Sequence, residues 1–502
     1  MDKNAIHPAF SLPSFYAGRN VFITGATGFL GKVLVEKLLR SCPDVGEIFL
    51  LIRPKKGVNI DERLRQMLTN PLFDTLRHAQ PNCFDKLIPV EGDISLENLG
   101  LSAADTDTLI EKTSIIFHVA ANVKFDNTLK NVVFRNVRST RDICILGGRM
   151  KNLTVLLYVS TAYSHVDKLV IDEIAYPTEV DWRKTIQTVE ALDEEILEVF
   201  KAKYIDKMPN HYVFTKRLAE QIIIDYSGSL PCVICRPSIV TPTLNDPVKG
   251  WLDNFNGPIL MLIGTAKGIL RLIQAEITTK NNYVPVDIVV KALIAAAWKR
   301  GSKMTNTQDN LPVVYNCVAN HFKCPTLTMM QDIGITISKK IPMDGVIWLP
   351  NAIVTTNRLF SYLLVILLHV IPAVFIDGLL FLSGRRPRLL NLQRKSFVTN
   401  QTMLYFLQNE WEIRNTKMLS LSDEVPTNDQ QTFGYATDLI YNYDMLTYME
   451  NGMIGSKIYL LKESMDQLEA AKSHYNRMIW IDRIARTLIG IFFMWVIYGI
   501  IV

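Results

Sequence analysis

Cysteine is scarce in this chain, and what there is falls in no pattern that would build a framework. Seven cysteines in 502 residues, at 42, 83, 144, 232, 235, 317 and 324, are odd in number and widely spread. That usage suits free thiols in a reducing compartment and argues against a disulfide-stapled secreted fold. Cys232 and Cys235 form a single CxxC with no second pair at zinc spacing, and the eight histidines are scattered singly, so no metal site is expected. No cluster of lysine and arginine alternates with aromatics, and the net charge is a mild +5, which leaves no case for nucleic-acid binding. The start, Met1-Asp-Lys-Asn-Ala-Ile-His7, has no apolar h-region, so a secretory signal is not expected. Apolar residues, by contrast, are in surplus: 48% of the chain, with a mean hydropathy of +0.14, exceeds what a soluble enzyme ordinarily needs. At this length one compact core does not suffice, and two domains, or one enlarged domain with an appendage, are expected.

The apolar runs organise the first half. Val21 to Ile23 leads into Thr24-Gly-Ala-Thr-Gly-Phe-Leu-Gly31 and then into a helical pattern from Lys32. Glycines at 25, 28 and 31 let a strand turn sharply into a helix, bring backbone close to a pyrophosphate and present the helix N-terminus to its charge. Gly25, Thr27, Gly28, Phe29, Leu30 and Gly31 are therefore candidate cofactor contacts. A second run, Glu47 to Ile52, follows one strand-helix unit later and ends at Arg53, with Lys55 and Lys56 just beyond. A carboxylate there would bond the ribose 2′-hydroxyl of NAD, whereas cations suit the 2′-phosphate of NADPH.

Further β-like runs at Leu87 to Glu91, Ser114 to Val119, Thr154 to Ser160 and Cys232 to Cys235 alternate with helical stretches. The alternation predicts an α/β fold with a Rossmann-type doubly wound parallel sheet, whose ligands bind at the carboxyl ends of the strands. At those ends stand Asp93 and Ile94, placing a carboxylate beside the adenine, then Ala120 and Asn122, then Ser160 and Thr161. Tyr212-Val-Phe-Thr-Lys216 opens a later helix, and its spacing of four puts phenol and ammonium on one face. The cation would hold the nicotinamide ribose and lower the phenol's pKa, making Tyr212 a proton donor and acceptor near neutral pH.

Together these motifs resemble the extended short-chain dehydrogenase/reductases. More closely, Phe15-Tyr-Ala-Gly18, Val159-Ser-Thr-Ala-Tyr163, Arg236-Pro-Ser238 and Gly250-Trp-Leu-Asp-Asn254 resemble the alcohol-forming fatty acyl-CoA reductases. Phe433, Tyr441, Tyr448 and Gly455-Ser-Lys-Ile-Tyr-Leu-Leu461 are similar to the helical domain those reductases share with plant male-sterility proteins. The resemblance implies reduction of a long-chain acyl-CoA to a primary alcohol by two hydride transfers from NADPH, with release of CoA. It also implies Pro237 as a cofactor contact, and Thr161 as the hydroxyl nearest the substrate oxygen with Ser160 as the alternative. A membrane-bound sterol or lipid dehydrogenase of the same superfamily, or a catalytically silent lipid-binding scaffold, are the competing readings.

Two greasy segments lie in the last third. Thr487 to Val502 carries no charge and follows Arg477, Arg483 and Arg486, which predicts a C-terminal transmembrane helix with the arginines cytosolic. A full crossing by Leu359 to Ser383 would carry Arg385, Arg386 and Arg388 to the far side, so a hairpin or monotopic patch broken at Pro372 is expected instead. Asn400-Gln-Thr402 is a glycosylation acceptor that would become lumenal only if that stretch crosses. The chain then divides into an N-terminal extension (1–17), an extended Rossmann domain (18–350), an apolar membrane-associated stretch or hairpin (351–384), a helical C-terminal domain (385–486) and the anchor (487–502). Expected partners are the acyl-CoA and membrane lipid. The expected location is a membrane with the catalytic domain in the cytosol, the endoplasmic reticulum being favoured over the peroxisome. Oligomeric state has no signature in the sequence.

Overall fold

The computed structural model describes residues 11–55, 57–123, 127–205, 208–255, 258–302, 311–439 and 443–501; Lys56, Tyr441 and Val502 lie outside them. Seven parallel strands form the main sheet: β1 (Asn20–Thr24), β2 (Ile48–Ile52), β3 (Leu87–Glu91), β4 (Thr113–His118), β5 (Val155–Val159), β6 (Cys232–Pro237) and β7 (Val313–Cys317). Their order across the sheet is β7-β6-β5-β4-β1-β2-β3. The order reverses direction between β1 and β4, where a doubly wound sheet opens its ligand crevice. β2, β5 and β6 are buried at every position, which is why they read as unbroken apolar runs rather than as alternation. Six of the seven strands stand where the apolar runs predicted them. The seventh, β7, is a five-residue edge strand that the sequence reading did not mark.

The chain packs as two compact units that are interleaved in sequence rather than successive. The sheet unit comprises 1–249, 282–324 and 411–443. Glu173 shows how the last segment joins it: the buried carboxylate accepts the backbone N–H of Asn316 in β7 (3.0 Å) and those of Lys417 and Met418 (3.0 Å), the latter two in the first turn of the helix Thr416–Asp423. Burial pushes that carboxyl up to about 7, against the three N–H donors and Lys417.

The second unit comprises 250–281, 325–410 and 444–502. It is mainly helical, with a short parallel pair, Leu272–Gln274 against Ile353–Thr355. Arg358–Leu382 is one continuous helical stretch, long and apolar enough to cross a membrane. It consists of α3 (Arg358–Val365), a π-turn (Ile366–Val370) and α4 (Ile371–Leu382). The expected break at Pro372 is absent. The proline sits in the first turn of α4, immediately after the wider π-turn, where its missing N–H and its ring are tolerated without a reversal of the chain. α5 (Leu389–Gln408) follows, and α6 runs unbroken from Leu468 to Ile501.

Candidate active site

The glycine loop occupies the β1 end of the crevice. Gly25 has φ +78°, and a Cβ there would lie 2.7 Å from the Ala120 amide nitrogen. A Cβ on Gly31 would lie 2.2 Å from the Gly25 carbonyl oxygen. Glycine is thus required at both places, once for the turn and once for the helix to seat against it. Gly28 is exposed and caps α1 (Phe29–Ser41), with Thr27, Phe29 and Leu30 partly exposed beside it. A β1–β4 clasp fixes the other wall: Thr24 Oγ1 pairs with His118 Nδ1 (2.7 Å) and accepts the Ala120 N–H (3.2 Å). This open, backbone-lined turn at a 13-residue helix fits the pyrophosphate of a dinucleotide.

At the β2 and β3 ends, Arg53 is exposed and ion-pairs with Asp93 at 3.3 Å. Asp93 also holds Ser95 through its N–H (2.9 Å) and hydroxyl (2.8 Å), and faces Arg135 at 3.8 Å. Burial pushes the Asp93 carboxyl up, but Ser95, Arg135 and Arg53 outweigh it and hold the group below its usual range. Arg63 donates to the Arg53 carbonyl, which brings a second guanidinium to the end of β2. Ile94 packs against the sheet core, and Pro237 closes β6 with its backbone paired to β7.

The candidate reacting groups lie on α2 (His211–Tyr226) and at the end of β5. Asn210 caps α2 by accepting the Val213 N–H (2.9 Å), so Tyr212 stands in the first turn. The Tyr212 phenol lies beside Thr161, whose Oγ1 accepts the Tyr163 N–H (3.3 Å). Ser160 points elsewhere, donating to Glu220. Of the two hydroxyls left open by the sequence, Thr161 is the one beside the phenol. Lys216 is buried, donates from Nζ to the Val159 carbonyl (2.7 Å) and lies 4.7 Å from the centre of the Tyr158 ring.

The titration of the pair departs from expectation. Burial pushes the Tyr212 phenol up to about 12, with Thr161 acting in the opposite direction. Burial pulls the Lys216 ammonium down to about 7, with Glu220 acting to raise it. The phenol is therefore raised rather than lowered, because desolvation outweighs the effect of Thr161. It stays protonated at neutral pH, the state a proton donor to an alkoxide needs.

Two supports escaped the sequence reading. Asn136, in a π-turn over Val133–Arg138, accepts the Asn122 N–H (2.8 Å) and donates to the Asn122 carbonyl (3.3 Å) and Thr215 Oγ1 (3.0 Å). It thereby joins the strand-end loop holding Ala120 and Asn122 to the helix carrying Tyr212 and Lys216. Glu220, one turn beyond Lys216 and fully buried, accepts from Arg236 (2.6 and 2.9 Å), His165 (2.9 Å), Ser164 (3.0 Å) and Ser160. The i, i+4, i+8 spacing of Tyr212, Lys216 and Glu220 was the available signal for the second; Asn136 had none.

Comparison with known proteins places these features. An NAD-binding family model described as Male sterility protein matches residues 23–293, and a second model of that description matches 368–463. Fatty acyl-CoA reductase 1 of Homo sapiens is 37% identical over 468 residues, covering 93% of this chain and 90% of that protein. Fatty acyl-CoA reductase 2 of Mus musculus is 36% identical over 467 residues, covering 93% and 89%. Among solved structures, the terminal R domain from the myxalamid PKS-NRPS pathway has a TM-score of 0.60 at 18% identity, covering 89% of this chain and 93% of that one. The reductase domain of a non-ribosomal peptide synthetase from Mycobacterium tuberculosis has a TM-score of 0.56 at 18% identity, covering 89% and 95%.

Proposed function

The chain belongs to the fatty acyl-CoA reductase family, and from that premise we propose that it reduces a long-chain acyl-CoA to a primary alcohol with two NADPH, releasing CoA. The observation that carries the reading is the placing of the Tyr212 phenol beside Thr161, just past the carboxyl end of β5, with Lys216 one turn behind the phenol and bonded to the Val159 carbonyl. NADPH, when bound over the glycine loop, supplies the hydride. Gly25, Thr27, Gly28, Phe29, Leu30 and Gly31 would hold its pyrophosphate side, Arg53 its 2′-phosphate, Asp93 and Ile94 its adenine side, and Ala120, Asn122, Lys216 and Pro237 its nicotinamide side.

The two hydroxyls of Tyr212 and Thr161 converge where a carbonyl oxygen can sit. They stabilise the negative charge that grows on that oxygen as the thioester carbon is reduced. Collapse of the tetrahedral adduct re-forms the carbonyl, breaks the C–S bond and expels the CoA thiolate. The aldehyde left behind offers the same oxygen to the same pair, and in the second reduction Tyr212 gives its proton to the alkoxide. Lys216 fixes the ribose and supports the charge on Tyr212 as the proton leaves.

We place the enzyme on a membrane with this site in the cytosol, at the endoplasmic reticulum in preference to the peroxisome. The end of α6 supports a C-terminal anchor: Leu488, Ile491, Met494, Trp495, Ile497 and Tyr498 are all exposed and follow Arg483 and Arg486. Gas chromatography of the products formed from a panel of acyl-CoAs with NADPH tests the reaction. Fatty alcohol and two NADPH oxidised per thioester are expected. Oxidation of NADPH with ketosteroids but with no acyl-CoA would replace this reading by the sterol dehydrogenase.

A further inference from the structure

The α3–α4 helix is apolar nearly all round, yet it touches the protein along one narrow stripe. Ser361, Leu364, His369, Ala373 and Asp377 are buried, at spacings of three, five, four and four. The single step of five falls across the π-turn, whose wider winding keeps the stripe in line. Two polar residues of the stripe hydrogen-bond neighbours within the same unit. His369 Nε2 accepts the Arg271 N–H (3.1 Å), and Asp377 accepts the N–H groups of Arg388, Leu389 and Leu390 (2.8–2.9 Å) at the start of α5.

These contacts bind the helix along its length to polar structure: α3 to the strand at Leu272–Gln274, and α4 to α5, which carries exposed Arg394 and Lys395. A helix crossing the bilayer would drag those elements into hydrocarbon, where their charges and strand-edge backbone groups would be unsatisfied. The opposite face nevertheless presents Leu359, Leu363, Ile371, Phe375, Phe381 and Leu382, of which Leu359 and Leu382 are more than 80% exposed. Exposed Arg358 stands at one end of this face, and Arg385, Arg386 and Arg388 stand at the other.

Basic residues at both ends of an apolar face match a helix lying at headgroup depth, each end meeting the same leaflet. We infer that α3–α4 lies in the plane of one anionic leaflet, its stripe facing the enzyme and its apolar face in the acyl boundary, with Arg385 and Arg386 on lipid phosphate. The inference rests on the membrane association proposed above and adds a second, in-plane contact, independent of the C-terminal anchor. It also supplies what the broken hairpin was expected to supply, namely both basic ends on one side, without a reversal of the chain.

The test uses the full chain carrying Cys83→Ser, which removes the one partly exposed thiol among the seven free cysteines. Leu359→Cys, Ile371→Cys and Leu382→Cys, each labelled with an environment-sensitive fluorophore, are placed on phosphatidylcholine vesicles containing about a third phosphatidylserine. Lipid-borne quenchers at headgroup and at mid-bilayer depth then report position. In-plane insertion gives all three sites the same shallow-over-deep quenching ratio within about twofold, because an interfacial helix sits at one depth. A crossing helix gives deep quenching at Ile371→Cys and shallow quenching at the two ends, which overturns the inference. Vesicle flotation without quenching at any of the three also overturns it and leaves the face to a protein partner or a second copy. Failure to float at all removes the membrane reading itself. Arg385→Glu with Arg386→Glu should abolish the phosphatidylserine-dependent part of the quenching at Leu382→Cys. Unchanged quenching there overturns the assignment of those arginines to lipid phosphate.

Discussion

Each unit centres an ion-pair network on a fully buried charge, an anion in one and a cation in the other, and the two are used differently. In the sheet unit Glu220 is held by Arg236, His165, Ser164 and Ser160, and Arg236 foremost, with His165, keeps its carboxyl well below the usual range in spite of burial. In the second unit Lys457, on a π-turn and fully buried, donates to Asp344 (2.8 Å), Glu463 (2.8 Å) and the Pro342 carbonyl (3.0 Å). Glu463 in turn takes Lys267 (2.7 Å) and the Asp344 N–H (3.0 Å). Both are networks that become costly if one partner is removed. Only Glu220, however, has a proposed reacting group, Lys216, one turn away. On the proposed assignment the same physics tunes chemistry in one unit and closes loops in the other.

The comparison breaks most visibly at the chemistry itself. Tyr212→Phe should leave NADPH binding nearly unchanged while turnover falls by about a thousandfold, the scale of a lost acid catalyst. NADPH oxidation and fluorescence titration on the same sample separate the two effects, and retained turnover would remove the proton donor. Next in size, Lys457→Met leaves Asp344 without its cation and Glu463 with Lys267 alone, and should destabilise the second unit by about 2–3 kcal/mol, the scale of a lost hydrogen-bonded charge. Thermal denaturation should show that unit melting early, with NADPH affinity intact because the cofactor residues all lie in the other unit.

How much of this was readable from the chain follows from the range of the interactions. Buried parallel strands carry short apolar runs, so six strands announced themselves, and the glycine loop and the Tyr212–Lys216 spacing are local patterns. Asn136 and Glu173 act across sequence separations that leave no periodic trace: Asn136 meets Thr215, and Glu173 meets Met418. The interleaving of the two units is illegible for the same reason, since it is decided by which distant surfaces bury each other. Pro372 misled because a proline inside a helical pattern ordinarily ends it, and the π-turn that accommodates it has no composition of its own.

Cofactor choice comes next in size. Arg53→Ala should raise KM for NADPH by about ten- to a hundredfold, the equivalent of one charge-assisted contact, while KM for NADH hardly moves. Equal losses with both cofactors would mean that Arg53 serves the fold through Asp93 rather than the 2′-phosphate.

The finest test of the contrast is a pH profile. Lys216 titrates at about 7 in the free protein because burial disfavours its charge while Glu220 favours it. The groups facing it are Glu220 and Tyr212 on its own helix, the Tyr158 ring and Val159 carbonyl on β5, and His118 on β4, whose imidazole burial keeps neutral. The ammonium is present below about 7 and lost above it, so kcat/KM for NADPH, which reports the free enzyme, should fall as pH rises through that value. Glu220→Gln removes the one carboxylate that supports the ammonium and should move this limb downward by about one pH unit, a tenfold change in the protonation equilibrium. A substitution that merely loosened the Ser160–Arg236 network would lower activity at every pH and leave the limb where it was. Lys457→Met, acting on the other buried charge, should not move it at all.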